Sequence, residues 1–137
     1  MRANELFPAL TLEVLENLDN NKVVRRVQEE HDACYWHQRN DNDGLIAWSG
    51  LSASKVYDFV RALTHPYPGA FSYSEGERVR FFKVTVPDCV LRGTPGRVFY
   101  VQGQGPYIVC QDRAILVHEY QFEKNVDAKL RHGVTLG

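Results

Sequence analysis

The sequence predicts an α+β chain that is mostly β: a helix, a connector, a second helix and then a small antiparallel barrel. Apolar residues recur at helical spacing in two separate segments, residues 9–18 and residues 56–63. After residue 71 the chain changes to short alternating segments separated by tight turns, a pattern typical of antiparallel sheets. These observations together give the fold class.

Composition is that of one soluble globular domain, with 137 residues, 44% hydrophobic and 24% charged. We expect neither a membrane span nor a secretory signal, because no apolar run is long enough for the first and the N-terminus lacks the apolar stretch of the second. Cys34, Cys89 and Cys110 never form a Cys-x-x-Cys pair, which disfavours a disulfide framework and a thiolate zinc site. A reducing cytoplasm is therefore the expected location.

Charge is unevenly divided along the chain. Residues 1–50 contain five Lys/Arg and nine Asp/Glu, a net charge of −4, whereas residues 51–137 contain eleven and eight, a net charge of +3. A dedicated nucleic-acid-binding domain usually shows a stronger basic excess.

The first helix is predicted by apolar residues at positions 9, 12, 15 and 18, with Pro8 near its start and an Asn pair at 20–21 as its stop. Residues 22–34 leave three alternatives open: an extended linker, a short strand or a helix. Residues 35–48 contain Asp-Gly turn chemistry between aromatic residues, Tyr35 and Trp36 at one end and Trp48 at the other. That pattern indicates a structured connector.

The second helix is predicted over about 53–63. Ser52 is a suitable N-cap, and apolar residues at 56, 59, 60 and 63 form a continuous stripe. His65-Pro66 ends the helix, because the residue before proline disfavours the α conformation.

The strands are predicted around residues 71–73, 78–86, 98–101, 107–110 and 114–122. The alternation changes phase at Phe81-Phe82, with Phe82 grouped with Val84, and this predicts a β-bulge in a strand that bends around a barrel. Residues 126–131 are predicted to form a closing turn of helix.

No complete catalytic or metal-binding set is recognisable. Ser52 and Lys55 match a Ser-x-x-Lys pattern, but its companion motifs are missing and Ser52 is explained as a helix cap. His31 and His37 have no ligands at suitable spacing to complete a metal site. Basic and aromatic residues on one hairpin form a candidate ligand or nucleic-acid face, with a solvated outer face as the alternative: Tyr73, Arg78, Arg80 and Lys83.

Four ordered blocks carry a family resemblance. Residues 60–73 are similar to the Arg-Ala-x-x-x-Pro-[Tyr/Trp]-Pro-Gly-Ala-[Phe/Tyr] stretch that opens the C-terminal domain of methionyl-tRNA formyltransferase and its sugar-modifying relatives. Residues 39–53 resemble the family's Arg-x-Pro-x-Asp-Gly-x-Ile-x-Trp-x-x-Ser-Ala connector, with Asp41 where proline is common. Residues 93–98 and 108–121 resemble its later strands, with Arg113 replacing a turn glycine.

This resemblance implies an architecture. Residues 1–50 would be the terminal helix and interdomain connector of a formyltransferase-like catalytic domain, and residues 51–137 a small open barrel related to the OB-fold. The residues expected to pack the connector and the domain are Tyr35, Trp36, Arg39, Asp43, Trp48, Pro66, Tyr67, Gly69 and Phe71.

The resemblance also implies that the chemistry lies elsewhere. The family's catalytic Asn, His and Asp, and its 10-formyltetrahydrofolate, belong to an N-terminal domain that this sequence does not contain, so we expect the chain to be inactive alone and to bind no cofactor. The expected partner is that catalytic domain, in cis or in trans, with homodimer formation as a further expectation.

Three interpretations of function follow. The first is the C-terminal portion of an amino-sugar nucleotide N-formyltransferase, in a supporting, substrate-positioning or dimerisation role. The second is the tRNA-binding C-terminal domain of methionyl-tRNA formyltransferase, placed second because the basic excess is modest. The third is a freestanding binding module that has lost the enzyme.

Overall fold

The computed structural model describes residues 3–137, which divide into two units, residues up to His37 and residues Gln38–Gly137. The first unit begins with helix α1 (Ala3–Asp19), which ends at the predicted Asn pair with Asn21 in the left-handed region (φ 53°). None of the 17 residues of α1, all of them described, is buried. A 3₁₀ turn at Glu30–Asp32 is the regular structure within residues 22–34, which favours the linker among the open alternatives.

The second unit contains the other predicted elements. Helix α2 precedes a five-stranded antiparallel sheet, whose strands follow the predicted segments closely. The bounds are α2 (Ala53–Leu63), β1 (Ala70–Ser74), β2 (Glu77–Thr85), β3 (Val98–Val101), β4 (Gly105–Val109) and β5 (Ala114–Phe122). The strand order is β1-β2-β5-β4-β3, so the predicted α+β class with an open, mostly β sheet is confirmed.

Two side chains cap the N-terminal end of α2. The Ser52 side chain accepts a hydrogen bond from the Lys55 backbone N–H, as predicted for an N-cap. The Ala53 backbone N–H also donates to Asp112 Oδ1 at 2.7 Å, and this bond holds the pKa of Asp112 below its usual value. The turn between β4 and β5 therefore helps to cap a helix that begins 59 residues earlier.

Strand β2 contains the predicted bulge. Its register against β5 shifts between Phe81 and Lys83 and again between Lys83 and Val84. Phe81 and Val84 are buried, whereas Phe82 turns outward and stacks on His65 with ring centroids 4.5 Å apart. The grouping of Phe82 with Val84 was thus wrong, because the bulge places two consecutive side chains, Phe82 and Lys83, outside the core.

The core lies between α2 and the inner face of the sheet. Val56 and Val60 of the predicted helical stripe are buried, and Phe59 and Leu63 pack against them at the edge. Other core side chains come from the connector, the strands and the C-terminal segment, and include Ile46, Trp48, Val79, Phe81, Ile108, Ile115, Leu130 and Leu136.

The predicted helical turn at 126–131 is wrong. Residues 126–127 form a turn and the chain then extends. The Leu130 backbone N–H donates to the Tyr120 hydroxyl, and the Leu130 carbonyl accepts a 2.6 Å bond from the Tyr100 hydroxyl. Tyrosine side chains therefore take up the backbone groups that a helix would pair internally, and Leu130 reaches the core.

Residues 133–137, here called the C-terminal strap, bridge the two edges of the sheet. At the β3 edge, the Gly133 N–H donates to the Val98 carbonyl (2.8 Å) and the Leu136 N–H to the Gly96 carbonyl (2.9 Å). At the β1 edge, Gly137 and Tyr73 exchange two backbone hydrogen bonds of 3.0 and 2.8 Å. Both edge strands are thereby paired with one segment of chain.

Across residues 3–137, neither helix has the length and apolar character that crossing a bilayer requires.

Candidate functional site

The connector forms a tight 3₁₀ turn at Asp41–Gly44. A capping box closes it, because the Asn40 N–H donates to Asp43 Oδ2 at 2.8 Å and the Asn42 N–H donates to Asn40 Oδ1 at 2.9 Å. The predicted Asp-Gly turn is therefore a preorganised loop.

Four side chains, here called the carboxylate–arginine clasp, join this turn to the sheet: Asp41, Arg78, Arg80 and Glu123. Arg80 donates two parallel bonds of 2.8 Å to the two carboxylate oxygens of Asp41, and its Nε donates to Glu123 Oε1 at 2.9 Å. Arg78 adds a 2.8 Å bond to Asp41 Oδ2. The bonds from Arg80 are the main reason why the pKa of Asp41 is lowered and that of Arg80 raised.

The residues of the predicted ligand face do not lie together on one free surface. Arg78 and Arg80 are paired in the clasp, whereas Lys83 lies apart from them. Arg78 lies 4.3 Å above the Phe71 ring centroid and donates to the Tyr73 hydroxyl at 3.1 Å. The side chains of Arg78 and Arg80 are 22% and 16% exposed, and both are paired with carboxylates. Lys83 follows the bulge, is exposed, and lies along a different groove.

Phe71 and Trp48 hold the connector on the barrel. The Ile46 N–H donates to the Phe71 carbonyl at 2.8 Å, and the Phe71 ring packs so closely on Gly44 that an added Cβ there would be 3.3 Å away. Trp48 is 4% exposed, and its indole N–H donates to Ser72 Oγ at 2.9 Å. Ser72 in turn donates to the Gly137 carbonyl at 3.2 Å, so one chain of bonds links connector, β1 and strap.

The loop after α2 contains the Pro-Tyr-Pro-Gly motif. The His65–Pro66 peptide is cis, and the Gly69 N–H donates to the Leu63 carbonyl at 2.9 Å. Gly69 has φ +92°, and a Cβ there would lie 2.8 Å from the Phe82 ring, so glycine is required by both conformation and space. Tyr67 projects from this loop and is 59% exposed.

A groove of about 480 Å³ lies between this loop and the connector turn. The apolar wall comes from the end of α2 and from Tyr67 and Pro68, and the polar wall includes Arg39, Asn40 and Asp43. The groove thus brings together four of the predicted packing residues: Arg39, Asp43, Tyr67 and Gly69.

Tyr35 and Trp36 belong to the first unit. Their side chains are 85% and 87% exposed, and the Tyr35 hydroxyl donates to Glu30 Oε2 at 2.8 Å. Of the aromatic residues chosen as connector anchors, Trp48 is the buried one among the residues that the structure describes.

The carboxylates of the groove beside the connector turn are already bound, Asp41 in its ion pairs with the arginines and Asp43 in the capping box. Within residues 3–137, three or more His, Cys, Asp or Glu side chains nowhere gather as metal ligands would. The arrangement can pack against or bind another molecule.

Comparisons with known proteins agree with this description. Residues 39–131 match the model of the formyl transferase C-terminal domain. The chain belongs to the formyltransferase C-terminal domain family. The match begins at Arg39, so the connector turn is part of the domain and α1 precedes it.

Individual relatives match the chain over spans of different length. The chain is 33% identical over 111 residues to a methionyl-tRNA formyltransferase of Geotalea uraniireducens, covering 81% of this chain and 34% of that protein. It is 47% identical over 63 residues to the bifunctional polymyxin resistance protein ArnA of Wigglesworthia glossinidia brevipalpis, covering 46% of this chain and 10% of that protein.

Among solved structures, HypX from Aquifex aeolicus in complex with tetrahydrofolic acid superposes with a TM-score of 0.60 at 26% identity, covering 83% of this chain and 20% of that chain. This formyltransferase C-terminal domain chain spans about a third of the length of the first methionyl-tRNA formyltransferases that it matches.

Sequence reasoning missed the partners of the two arginines. Asp41 was noted only as a departure from the family's proline, and Glu123 was not singled out. No local signal identifies these partners, because a carboxylate in reach of water needs no cation and the pairs span 37 to 43 residues of separation.

Proposed function

We propose that the chain is the non-catalytic C-terminal portion of a 10-formyltetrahydrofolate-dependent N-formyltransferase, and that it supports and positions a separate catalytic domain. The observation that carries this proposal is the exposed apolar surface of α1. Its seven large apolar side chains are between 37% and 64% exposed: Leu6, Phe7, Leu10, Leu12, Val14, Leu15 and Leu18. Apolar patches of this kind on a helix favour burial against a partner.

The relatives supply the chemistry of that partner. Their proteins are about three times as long as the matched part, and the matched family is a C-terminal domain. Attack of an amine on a formyl carbonyl needs a proton acceptor and donors that stabilise the oxyanion. The catalytic domain would provide these groups and the folate, while α1 packs against it and the clasp holds the connector turn on the sheet.

For the acceptor we propose an amino-sugar nucleotide. The 47% identity to ArnA over 63 residues is higher than the identity to the methionyl-tRNA formyltransferase, although it covers less of the chain. In addition, the two arginines of the hairpin are paired with Asp41 and Glu123, so their charge is not available to form a broad basic channel.

Methionyl-tRNA is the second candidate acceptor. The methionyl-tRNA formyltransferase of Geotalea uraniireducens matches 81% of the chain, compared with 46% for ArnA. A role in tRNA binding predicts an affinity that falls steeply with salt, because phosphate contacts release counterions.

The test uses the native protein that carries this chain, captured from an extract of its source with an antibody. A polypeptide at least twice the 15.7 kDa of this chain, or a stoichiometric catalytic subunit bound to it, is expected. That material should transfer a formyl group from 10-formyltetrahydrofolate to an amino-sugar nucleotide faster than to methionyl-tRNA.

The two acceptors separate the candidates. Faster formylation of methionyl-tRNA would favour methionyl-tRNA over the amino-sugar nucleotide as the acceptor. A polypeptide of 15.7 kDa without a catalytic partner and without either activity would contradict the proposal and favour the freestanding module.

A further inference from the structure

The groove of about 480 Å³ between the connector turn and the loop after α2 has two walls of different character. The apolar wall presents exposed side chains of Ala62, Tyr67 and Pro68. The polar wall presents Arg39 and Asn40, which are exposed as well. A tyrosine and an arginine beside apolar surface are typical of a protein–protein contact, where both residue types are enriched.

Tyr67 is the largest side chain of the apolar wall and is 59% exposed. It lies between Pro66 and Pro68, whose rings fix their own φ angles. The Tyr67 N–H donates to the Thr64 carbonyl at 3.2 Å, which further restrains the backbone. The ring therefore projects from a stiff loop, and burying it against a partner costs little conformational entropy.

Arg39 is the cation of the polar wall. Its guanidinium makes no ion pair or hydrogen bond within residues 3–137, although two carboxylates line the same groove. Asp41 is held by Arg80 through two bonds of 2.8 Å. Asp43 Oδ2 accepts the Asn40 N–H in the capping box. A carboxylate from another protein surface can therefore pair with Arg39, through the two parallel hydrogen bonds that a guanidinium offers.

Both walls are held in place by contacts within the barrel domain. The clasp and the capping box hold the connector turn, and the Phe71 ring packs on Gly44 within it. On the opposite side, the Gly69 N–H bond to the Leu63 carbonyl closes the loop after α2. Neither wall has to reorder to receive a partner, which favours association because the ordering cost is small.

The length and order of the relatives indicate which surface covers the groove. The chain spans 34% of the methionyl-tRNA formyltransferase of Geotalea uraniireducens, and the matched family is a C-terminal domain. The rest of such a protein precedes the matched residues, and the match begins at Arg39, in the groove itself. A domain tethered at this point has an effective concentration on the order of millimolar at the groove.

We infer that this groove docks the catalytic domain attached N-terminal to it, with Tyr67 as the buried anchor and Arg39 paired with a carboxylate of that domain. The inference rests on the proposed function. It adds a contact surface within residues 39–69 to the surface on α1, and it states the chemistry of the partner: an apolar pocket for a tyrosine ring beside an acidic side chain.

The experiment compares hydrogen exchange, followed by mass spectrometry, in this chain alone and in the native protein that carries it. Peptides covering residues 38–45 and 62–69 should exchange at least about tenfold more slowly in the native protein, because docking suppresses local opening of both walls. The internal control is the turn at residues 101–105, where the Cβ position of Gly103 has no atom within 4 Å. Its exchange should be equal in the two proteins.

Two matched pairs of variants in the native protein test the anchor and the ion pair. Tyr67→Ala should abolish the added protection, whereas Tyr57→Ala, at a tyrosine of α2 outside this groove, should preserve it. Arg39→Gln should reduce the protection about threefold. Arg131→Gln, at a side chain that is 75% exposed and lies outside the groove, should not reduce it.

The fold of the anchor variant is verified on this chain alone. Tyr67→Ala should melt within about 2 °C of the native chain, because the side chain is exposed there. A larger decrease would show that Tyr67 stabilises the barrel itself, and this would contradict its assignment as a free anchor.

The outcomes separate this inference from the proposed function. Equal exchange of the groove peptides in both proteins, with an active catalytic domain attached, would overturn the inference and leave the proposed function standing. A native protein of 15.7 kDa without a catalytic partner would overturn both. Protection that appears only with a formyl acceptor would assign the groove to substrate, and protection that rises with the concentration of this chain alone would assign it to a second copy. Either result would contradict the inference.

Discussion

Helices α1 and α2 show similar apolar spacing in the sequence and have opposite surroundings in the structure. In α2, Val56 and Val60 are fully buried under the sheet, whereas in α1 even Leu10 and Leu15 are half exposed. The two tryptophans differ in the same way, with Trp48 at 4% exposure and Trp36 at 87%. A periodic apolar stripe thus predicts a helix that needs a covering surface, and the stripe does not tell which polypeptide supplies the surface.

The largest expected effect separates the two tryptophans. Trp48→Ala should lower the free energy of unfolding of the barrel by about 3–5 kcal/mol, because it empties a core site and breaks the bond to Ser72. Trp36→Ala, the matched control, should change it by less than about 0.5 kcal/mol. Urea unfolding followed by circular dichroism measures both free energies of unfolding. Equal losses in the two variants would contradict the difference in burial between Trp48 and Trp36.

The next effect tests the C-terminal strap, with two glycines of similar backbone conformation. Gly96 (φ +81°) would place a Cβ 2.5 Å from the Leu136 carbonyl oxygen, whereas Gly103 (φ +78°) has no atom within 4 Å of that position. Gly103→Ala should cost about 1 kcal/mol from conformation alone, and Gly96→Ala roughly 2–3 kcal/mol because the strap must also move. Equal decreases in melting temperature for both variants would show that the strap can move without any loss of stability.

A smaller effect is expected from the clasp. Asp41→Asn should cost about 1 kcal/mol at pH 7, after allowance for solvent screening of a carboxylate whose side chain is 40% exposed. Asp58→Asn, which alters an exposed pair with Arg61, should have almost no effect.

The stabilisation by Asp41 should depend on pH, and the direction of that dependence follows from its pKa. The folded pKa of Asp41 is lowered, so its contribution is present above the unfolded pKa of about 3.9 and is lost as the pH falls through the folded value. The difference in urea midpoint between the native chain and Asp41→Asn should therefore shrink between pH 6 and pH 3. A difference that stayed constant would mean that the ion pairs contribute nothing.

The smallest effect on the barrel is expected from α1. Leu10→Gln should leave the unfolding of residues 38–137 within about 0.5 kcal/mol of the native chain, because Leu10 is 50% exposed and lies outside that unit. The same change should reduce co-purification with the proposed catalytic domain, measured by pull-down, whereas Glu13→Gln in α1 should not. Loss of barrel stability in Leu10→Gln would contradict the assignment of α1 to an external partner.

The sequence by itself determined the elements of this protein. Spacing of apolar residues located α2, the phase slip located the bulge in β2, and Ser52 and the Asn pair marked helix ends, because each of these signals depends on neighbours within a few residues. Resemblance over several motif blocks gave the family, which the match over residues 39–131 shows.

Only the tertiary structure decided which residues meet across long stretches of chain. Asp41 with Arg80, Asp112 with Ala53, and Gly96 with Leu136 are separated by about 39 to 59 residues, and no local pattern encodes such pairs. The outward turn of Phe82 and the extended path at Leu130 likewise depend on His65 and on two tyrosines elsewhere in the fold. Local propensity determines where helices and strands begin and end. The contacts that their side chains make depend on residues that are distant in sequence and lie close together only in the folded chain.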